Sequence, residues 1–447
     1  MTTTESARPT REPIPAPSRR EFLKTSAVVS ATALVGGCAS LSGRPAPAIL
    51  HAEHRPERLR VGVIGCGGRG TGAAIDCVKA APNIQIVALG DLFADHLNTC
   101  KETLQKDLAE LGSAYQVTDE HCFVGFDAYQ HVLACDVDLV ILATPPHFRP
   151  LHFKAAVEAG KHVFMEKPVA VDPVGVRFVI ASSEIAFRKR LSVVAGTQRR
   201  HDPRYIRTMN RIHDGAIGEI VAAQCYWNQG DLWFHEREPQ WSDMENQCRN
   251  WLYYTWLSGD HIVEQHVHNL DVINWALGSP PLKAVGMGGR QSRTDPKFGN
   301  VFDHFTVEYE YPRGVRVLSM CRQVEGTSTR IAERLVGTWG WASPNGETHG
   351  RLLPWRYKRK GKPVNPYVQE HADLIASIRR DRPINEGRQV AESTLTAIMG
   401  RMSAYTGREL SWDWVLKASA LDLTPPAYEF GDLPVDPPAV PGTTKLV

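Results

Sequence analysis

The ten residues 61–70, VGVIGCGGRG, constrain this chain more than any other stretch. Val61, Val63 and Ile64 form a short β-branched run, the composition of a strand buried on both faces. It leads directly into Gly65, Gly67 and Gly70 of a complete G-x-G-x-x-G, with Cys66, Gly68 and Arg69 between them. The first glycine of such a motif turns the chain tightly. The second removes a side chain where a pyrophosphate must approach the backbone, and the third lets helix and strand pack closely. A helix beginning at Thr71 then presents its N-terminal amides to the phosphates.

A second apolar run, residues 84–89, ends in Gly90-Asp91, about twenty residues beyond the last glycine. A carboxylate there accepts both ribose hydroxyl hydrogens of NAD and repels a 2′-phosphate, and Leu92-Phe93 adds no arginine. Glycine-rich turns alone are common. Strand, glycines, helix, second strand and terminal acid in this order predict a dinucleotide site, with NAD favoured over NADP. Gly65, Gly67, Gly68, Arg69, Gly70 and Asp91 are its expected contacts.

The 447 residues allow two domains, and 43% hydrophobic with 22% charged residues is the balance of a globular protein. A formal net charge of +2 argues against nucleic acid or an anionic membrane surface as partner. Ser18-Arg19-Arg20-Glu21-Phe22-Leu23-Lys24, followed by a moderately apolar stretch to Gly37, resembles a twin-arginine export signal. Such signals carry proteins that fold before export. The competing reading is a basic patch heading a disordered tail. Val35-Gly36-Gly37-Cys38 resembles a lipobox, and simple cleavage near Ala39 is the alternative. The expectation is a signal over 1–38, a tether over 39–57, and a periplasmic protein, or one held on the outer side of the inner membrane through Cys38. The other eight cysteines contain no C-x-x-C pair, which argues against a zinc ribbon and for free, reduced thiols.

Further along, a helix is predicted over 95–111, a short helix after Asp127, and a buried strand over 137–143. That strand ends in Thr144-Pro145-Pro146-His147, at the carboxyl end where ligands bind in open α/β sheets. A helix over 151–160 and a strand over 162–165 follow, the latter ending in Glu166-Lys167-Pro168, with a cis bond weighed for Pro168. Residues 220–226, 282–286, 302–311 and 315–322 read as strands, with a hairpin turn at Pro312-Arg313-Gly314. Residues 367–379 and 389–406 read as amphipathic helices. The Pro-rich stretch after Leu421 is expected to wrap the surface without a core of its own.

The glycine fingerprint, the Ala143-Thr144-Pro145-Pro146-His147 loop and the Glu166-Lys167-Pro168 triplet together resemble the Gfo/Idh/MocA oxidoreductases. So do the Gly196–Pro203 stretch, GTQRRHDP, and the Glu264–Asp271 stretch, EQHVHNLD, although many members carry Asp where Glu264 stands. The resemblance runs from about Leu59 to about Leu410. It implies an α/β fold: an N-terminal Rossmann domain (58–190), then an α/β domain (191–420) whose open, largely antiparallel sheet carries the substrate and often the oligomer interface, then a tail (421–447). It further implies a small carbohydrate substrate, a homo-oligomer, and Thr144, Pro145, His147, Glu166, Lys167 and Arg199 around the cofactor.

Oxidising an alcohol requires a hydride acceptor facing the C–H and a base for the O–H proton. Lys167, at a strand end, can hold the alcohol oxygen and relay a proton. Glu264, His268, Asp271 and Trp275, at i, i+4, i+7 and i+11, share one face if residues 264–275 form one helix. His268 is then the candidate base, with a pKa near the working pH, Glu264 a further catalytic candidate, and Asp271, on the substrate side, a residue that either orients His268 or only caps contacts there. Arg200, Tyr205 and Trp233 are expected toward the substrate, Trp233 within an aromatic-rich excursion over 228–258 that can cover the site. His261, Glu264, His266 and His268 can be read as metal ligands, but their spacing matches no ligand motif and no metal is assigned. Three functions fit: an exported NAD-dependent oxidoreductase on a sugar-like alcohol that retains its cofactor, an NAD-requiring glycosidase using transient oxidation and elimination, and a non-catalytic NAD-binding protein.

Overall fold

A computed structural model of the chain describes residues 58–351 and 353–447. The twin-arginine motif, Cys38 and the tether over 39–57 lie outside those residues. The β-branched run forms β1 (Leu59–Ile64), flanked by β2 (Ile84–Asp91) and β4 (Leu139–Leu142), all three nearly wholly buried as their composition requires. With β3 (Cys122–Val124), β5 (His162–Met165) and β6 (Val193–Ala195) they make a six-stranded parallel sheet of order β3-β2-β1-β4-β5-β6. The order reverses between β1 and β4, so a crevice opens at their carboxyl ends.

The glycine turn is built as the spacing predicts. Gly65 has φ +99°, and a Cβ on Gly70 would lie 1.8 Å from the Gly65 carbonyl oxygen. Helix Gly68–Ala80 therefore sits directly against the end of β1.

Two domain boundaries differ from expectation. The first domain does not stop at 190, because β6 lies beyond it; this strand is only three residues long, too short to leave a period in the sequence. Helix Pro366–Arg379, from the far end of the chain, returns to cover helix Gly68–Ala80, with Leu374 and Ile375 fully buried in the first domain's core. The expected helix over 95–111 spans Ala94–Asp107 and gives way to a 3₁₀ segment, Ala109–Ala114.

In the second sheet the four expected strands are β7 (Ile220–Gln229), β8 (Lys283–Gly289), β9 (His304–Glu310) and β10 (Arg316–Gln323). The sheet adds β11 (Arg330–Gly337), β12 (Gly340–Ser343), β13 (Glu347–His349), β14 (Trp355–Arg356) and β15 (Leu410–Ser411) to them. Its nine strands run in the order β14-β13-β12-β11-β7-β10-β9-β8-β15, antiparallel except for the β7–β10 pair. The turn between β9 and β10 places Arg313 and Gly314 at φ 66° and 75°. Helix Gly387–Thr406 lies on one face so closely that a Cβ on Gly286 would meet the Gly400 carbonyl at 2.9 Å.

The single helix expected through Glu264 and Asp271 is instead two, His261–Glu264 and Val267–Leu277, broken at Gln265 and His266. The tail, as expected, builds no core of its own. Tyr428 and Leu433 pack instead against an apolar cluster built by other segments, described below. Among the described residues, no helix is long and apolar enough to cross a membrane.

Leu374→Ala should destabilise the protein by about 2–5 kcal/mol, because it empties a fully buried leucine site between two helices. Chemical denaturation measures this directly. A loss below about 1 kcal/mol would mean that helix Pro366–Arg379 does not dock as described.

Candidate active site

Two cavities meet at the carboxyl ends of β1 and β4. The first is the crevice over the glycine turn, walled by Gly65, Gly67, Asp91, Phe93, Thr144 and Trp251 among others. At its end the Asp91 carboxylate accepts hydrogen bonds from the backbone amides of Cys66 (2.6 Å) and Phe93 (2.9 Å). These two amides fix the carboxylate while its remaining lone pairs face the crevice. His96 approaches it at 3.6 Å, and the neighbouring Asp91 carboxylate raises the imidazole's pKa. Nothing stands within 4 Å of a Cβ placed on Gly67 or Gly68, so the space over the turn is open. An open glycine cradle, a helix N-terminus and a fixed carboxylate are the donor set a dinucleotide requires, and these residues fit NAD.

The second cavity, about 320 Å³, lies where β5 ends, and Ala143, Thr144 and Trp251 border both. Lys167 enters it after the strand, across a cis bond to Pro168. Its Nζ donates to the Glu264 carbonyl oxygen (2.7 Å) and to Glu264 Oε1 (3.0 Å). An ammonium has three hydrogens, so one remains for a substrate oxygen.

His268 lies on the same cavity, its ring stacked on Trp227 at 5.7 Å and 19°. Its ring nitrogens have no hydrogen-bond partner among the described residues. The expectation of a pKa near the working pH is corrected. Burial, and then the charges of Lys167, Arg199 and Arg69, push His268 well below 6.5, so the ring is neutral and can accept a proton. Glu264 and His268 meet here because the chain breaks between them, not because they share one helix face.

Arg69 leaves the glycine turn for this second cavity. It pairs with Glu166 (2.5 Å) and Glu370 (3.4 Å), and its guanidinium lies 4.8 Å from the centre of the Tyr367 ring. Glu166 is buried behind Gly196, where a Cβ would come within 2.3 Å of it; its observed role is counter-ion to Arg69.

Several other expected contacts lie elsewhere. Asp271 does not orient His268. It takes a bidentate pair from Arg200 (2.8 and 3.0 Å) and a bond from Ser393 (2.7 Å), all buried, so Arg200 and Asp271 satisfy each other away from both cavities. Arg199 pairs with Glu333 and lies 5.7 Å from the Trp227 ring, behind the cavity wall. The Tyr205 hydroxyl likewise donates to Glu333. His147 turns from the cofactor crevice to the tail, its Nε2 2.8 Å from the Tyr428 hydroxyl, and burial lowers its pKa to about 4. Pro145 does border the crevice. Trp233 is 43% exposed and lines neither cavity; Trp251, against which it packs at 6.3 Å, borders both.

Of the residues read as possible metal ligands, His266 is fully buried against Ser319 (2.8 Å), and His261 pairs with Asp260 (3.0 Å). No group of three or more His, Cys, Asp or Glu among the described residues is placed to hold a metal ion. The sequence reading missed Gln198, Gln265 and Tyr367 as cavity residues. The first two are immediate neighbours of Arg199 and Glu264, and only the break and the turn decide which of each pair faces inward.

The description "Oxidoreductase family, NAD-binding Rossmann fold" of the Gfo/Idh/MocA group matches residues 59–184, and "GFO/IDH/MocA C-terminal domain" matches residues 205–343. A glycosyl hydrolase family 109 protein of Shewanella amazonensis is 25% identical over 70% of this chain and 68% of its own length. Inositol 2-dehydrogenase 4 of Saccharopolyspora erythraea is 32% identical over 37% of this chain and 44% of its own. The chain thus spans between about half and two thirds of the length of such relatives. In fold it is similar to the aldose-aldose oxidoreductase of Caulobacter crescentus (TM-score 0.61, 19% identity, 79% of this chain and 100% of that one). It is similarly close to scyllo-inositol dehydrogenase of Lactobacillus casei (TM-score 0.59, 17% identity, 79% and 99%). The cofactor is NAD.

Asp91→Ser should weaken NAD binding and relax discrimination against NADP, since it removes both an acceptor and a repulsive charge; calorimetry with each dinucleotide tests this. Unchanged affinities for both would take Asp91 out of the site. Asp271→Ala should cost about 3–5 kcal/mol by stranding the buried Arg200 guanidinium, with NAD affinity of the folded protein unchanged. A lost NAD affinity at full stability would instead return Asp271 to the binding surface.

Proposed function

Both domains of the Gfo/Idh/MocA oxidoreductase family are present in this chain, and on that footing we propose that it oxidises or reduces a sugar or sugar-like alcohol by hydride transfer, as an exported enzyme that keeps its NAD. The observation that carries this reading is the convergence of a held ammonium and an unpaired neutral imidazole, Lys167 and His268, on the cavity beside the cofactor crevice. Bound NAD supplies the hydride exchange. Asp91 and the glycine turn would hold the dinucleotide, and Ala143 to Pro145 line the crevice where it meets the substrate cavity. Lys167 binds the substrate hydroxyl oxygen and stabilises negative charge as it develops there. His268 receives the proton. Trp227 and Trp251 present aromatic faces to the C–H faces of a sugar ring.

Export is the part of the proposal that rests on sequence alone, on the Arg19-Arg20 motif and the apolar stretch after it. A homo-oligomer is supported by Val285 and Met287, 48% and 72% exposed, on the outer face of the second sheet. A second reading, a glycosidase in which a ring hydroxyl is oxidised transiently and the leaving group eliminated, is favoured by two observations. One is the family 109 relative. The other is the scarcity of free NAD outside the cytoplasm, which suits a cofactor regenerated within each turnover.

Protein from the exported fraction should release NAD only on denaturation, and Arg19→Lys with Arg20→Lys should abolish export. Turnover of free sugars with a second substrate supports the oxidoreductase, and release of an aryl aglycone without one supports the glycosidase. Lys167→Ala and His268→Ala should each lower kcat by about 10²- to 10⁴-fold while the protein still folds and binds NAD. Full activity in either variant removes that residue from the mechanism. Because the folded state depresses the His268 pKa, the neutral base persists below pH 6.5, and the acidic limb of kcat/KM should fall below that value. The same shift makes the stability contributed by neutral His268 fully present above pH 6.5 and progressively lost as pH falls toward the folded-state pKa. An acidic limb at or above pH 6.5 would refute the assignment.

A further inference from the structure

Outside the cores of the two sheets lies a third apolar cluster, at the outer edge of the cofactor crevice. Besides Phe298 and Val301, three separate parts of the chain build it. Phe93, Phe126 and Phe148 come from the first domain and line the crevice with one face. The 243–257 part of the aromatic excursion supplies Met244, Cys248, Tyr253, Tyr254 and Leu257. The tail supplies Tyr428, Phe430 and Leu433. No part of the tail falls within the matched family domains.

The tail grips both other parties. Phe430 stacks on the outer face of Phe93 (6.0 Å, 16°) and lies 5.4 Å from Phe126, while Tyr428 lies 6.0 Å from Phe126 and 5.7 Å from Phe148. Tyr428 also bonds His147, whose ring burial keeps neutral. Toward the excursion, the Met244 backbone amide donates to the Gly431 carbonyl (3.1 Å), the Gln247 side-chain Nε2 to the Leu433 carbonyl (2.6 Å), and the Leu433 backbone amide to the Asp243 carboxylate (3.3 Å). Upstream, the Leu423 amide is fixed on Asp172 (2.9 Å). The excursion in turn reaches over the first domain: Arg249 lies 4.0 Å from the centre of Phe93 and pairs with Asp95 (3.0 Å). Two residues further on stands Trp251, which borders both the crevice and the substrate cavity.

We propose that the excursion and the C-terminal tail form a clasp over the dinucleotide crevice, in which Trp251 closes the junction of cofactor and substrate and the tail holds the excursion shut. Trp251 is then a positioning residue for the reactive end of the cofactor, and residues 423–433 are what keep it there. To leave, the dinucleotide must part the aromatic contacts of Tyr428 and Phe430 together with the three hydrogen bonds beside them, one between main chains and two that each use a side chain. The clasp deepens the retained-cofactor reading and rests on it.

The test uses the full-length protein loaded with NADH, whose dissociation is followed by nicotinamide fluorescence after mixing with excess NAD. The unaltered protein should release NADH slowly. The double variant Tyr428→Ala, Phe430→Ala, a chain ending at Leu421, and Trp251→Ala should each release it at least tenfold faster, and Trp251→Phe should recover most of the slow release. Thermal melting checks that each variant is folded. Where the shortened chain fails to fold, the double variant decides, since Phe430 is 49% exposed and its removal leaves the cores intact. Slow release from the parent with rates unchanged within twofold in the variants overturns the clasp and leaves retention standing. Rapid release from the parent overturns the retention reading, and the clasp with it.

Discussion

The site depends on one ammonium being held where little water reaches it. Lys167 stands at the end of the first domain's fifth strand with its side chain 14% exposed, and its partner Glu264, 12% exposed, belongs to the second domain. A lone cation at that depth would be costly. The carboxylate and carbonyl of a single residue compensate it, and hydrogen bonds to a charged group contribute about 1.5–3 kcal/mol each. The same contact couples the two domains across the cavity, so the geometry that holds the lysine also bears on the spacing between the crevice and His268.

Burial, and then charge, account for His268. Three cations, Lys167, Arg199 and Arg69, bear on it through a poorly hydrated environment, and no carboxylate bonds it. Burial is the first cause of its neutrality, and no acid offsets it, because the nearby carboxylates are committed elsewhere: Glu264 to Lys167, Glu333 to Arg199, Glu166 to Arg69, Asp271 to Arg200. Each acid near the cavity already serves a base, and the imidazole is the group left over. A contrasting histidine lies only a few residues from Arg199. Burial alone would lower the pKa of His201, yet Glu386 and Asp373 outweigh it and raise the value to about 10.

What could be read from the sequence was local. The glycine turn, the strands at 61–64 and 137–143, the Lys167 corner and the β9–β10 hairpin are each specified by residues adjacent in the chain. What could not be read was set by long-range partners or by breaks. Asp271 and Arg200 look like site residues until Ser393 and a buried guanidinium claim the carboxylate. Trp251 was one of many tryptophans, and only packing separates it from Trp233. The Pro-rich tail carries no periodicity, so its docking through Tyr428 and Phe430 is invisible without the surface it meets.

The break after Glu264 has an effect of its own. In an uninterrupted helix the His268 amide would bond the Glu264 carbonyl, but here it turns to Gln265 at 3.3 Å. The Glu264 carbonyl is thereby freed for Lys167. Half of the lysine's restraint is therefore main chain, indifferent to which side chain occupies position 264. Shortening the acid to aspartate, or neutralising it to glutamine, would alter the charge at the lysine without releasing it. The chain can thus tune this site's electrostatics by ordinary point substitution while its architecture stays in place.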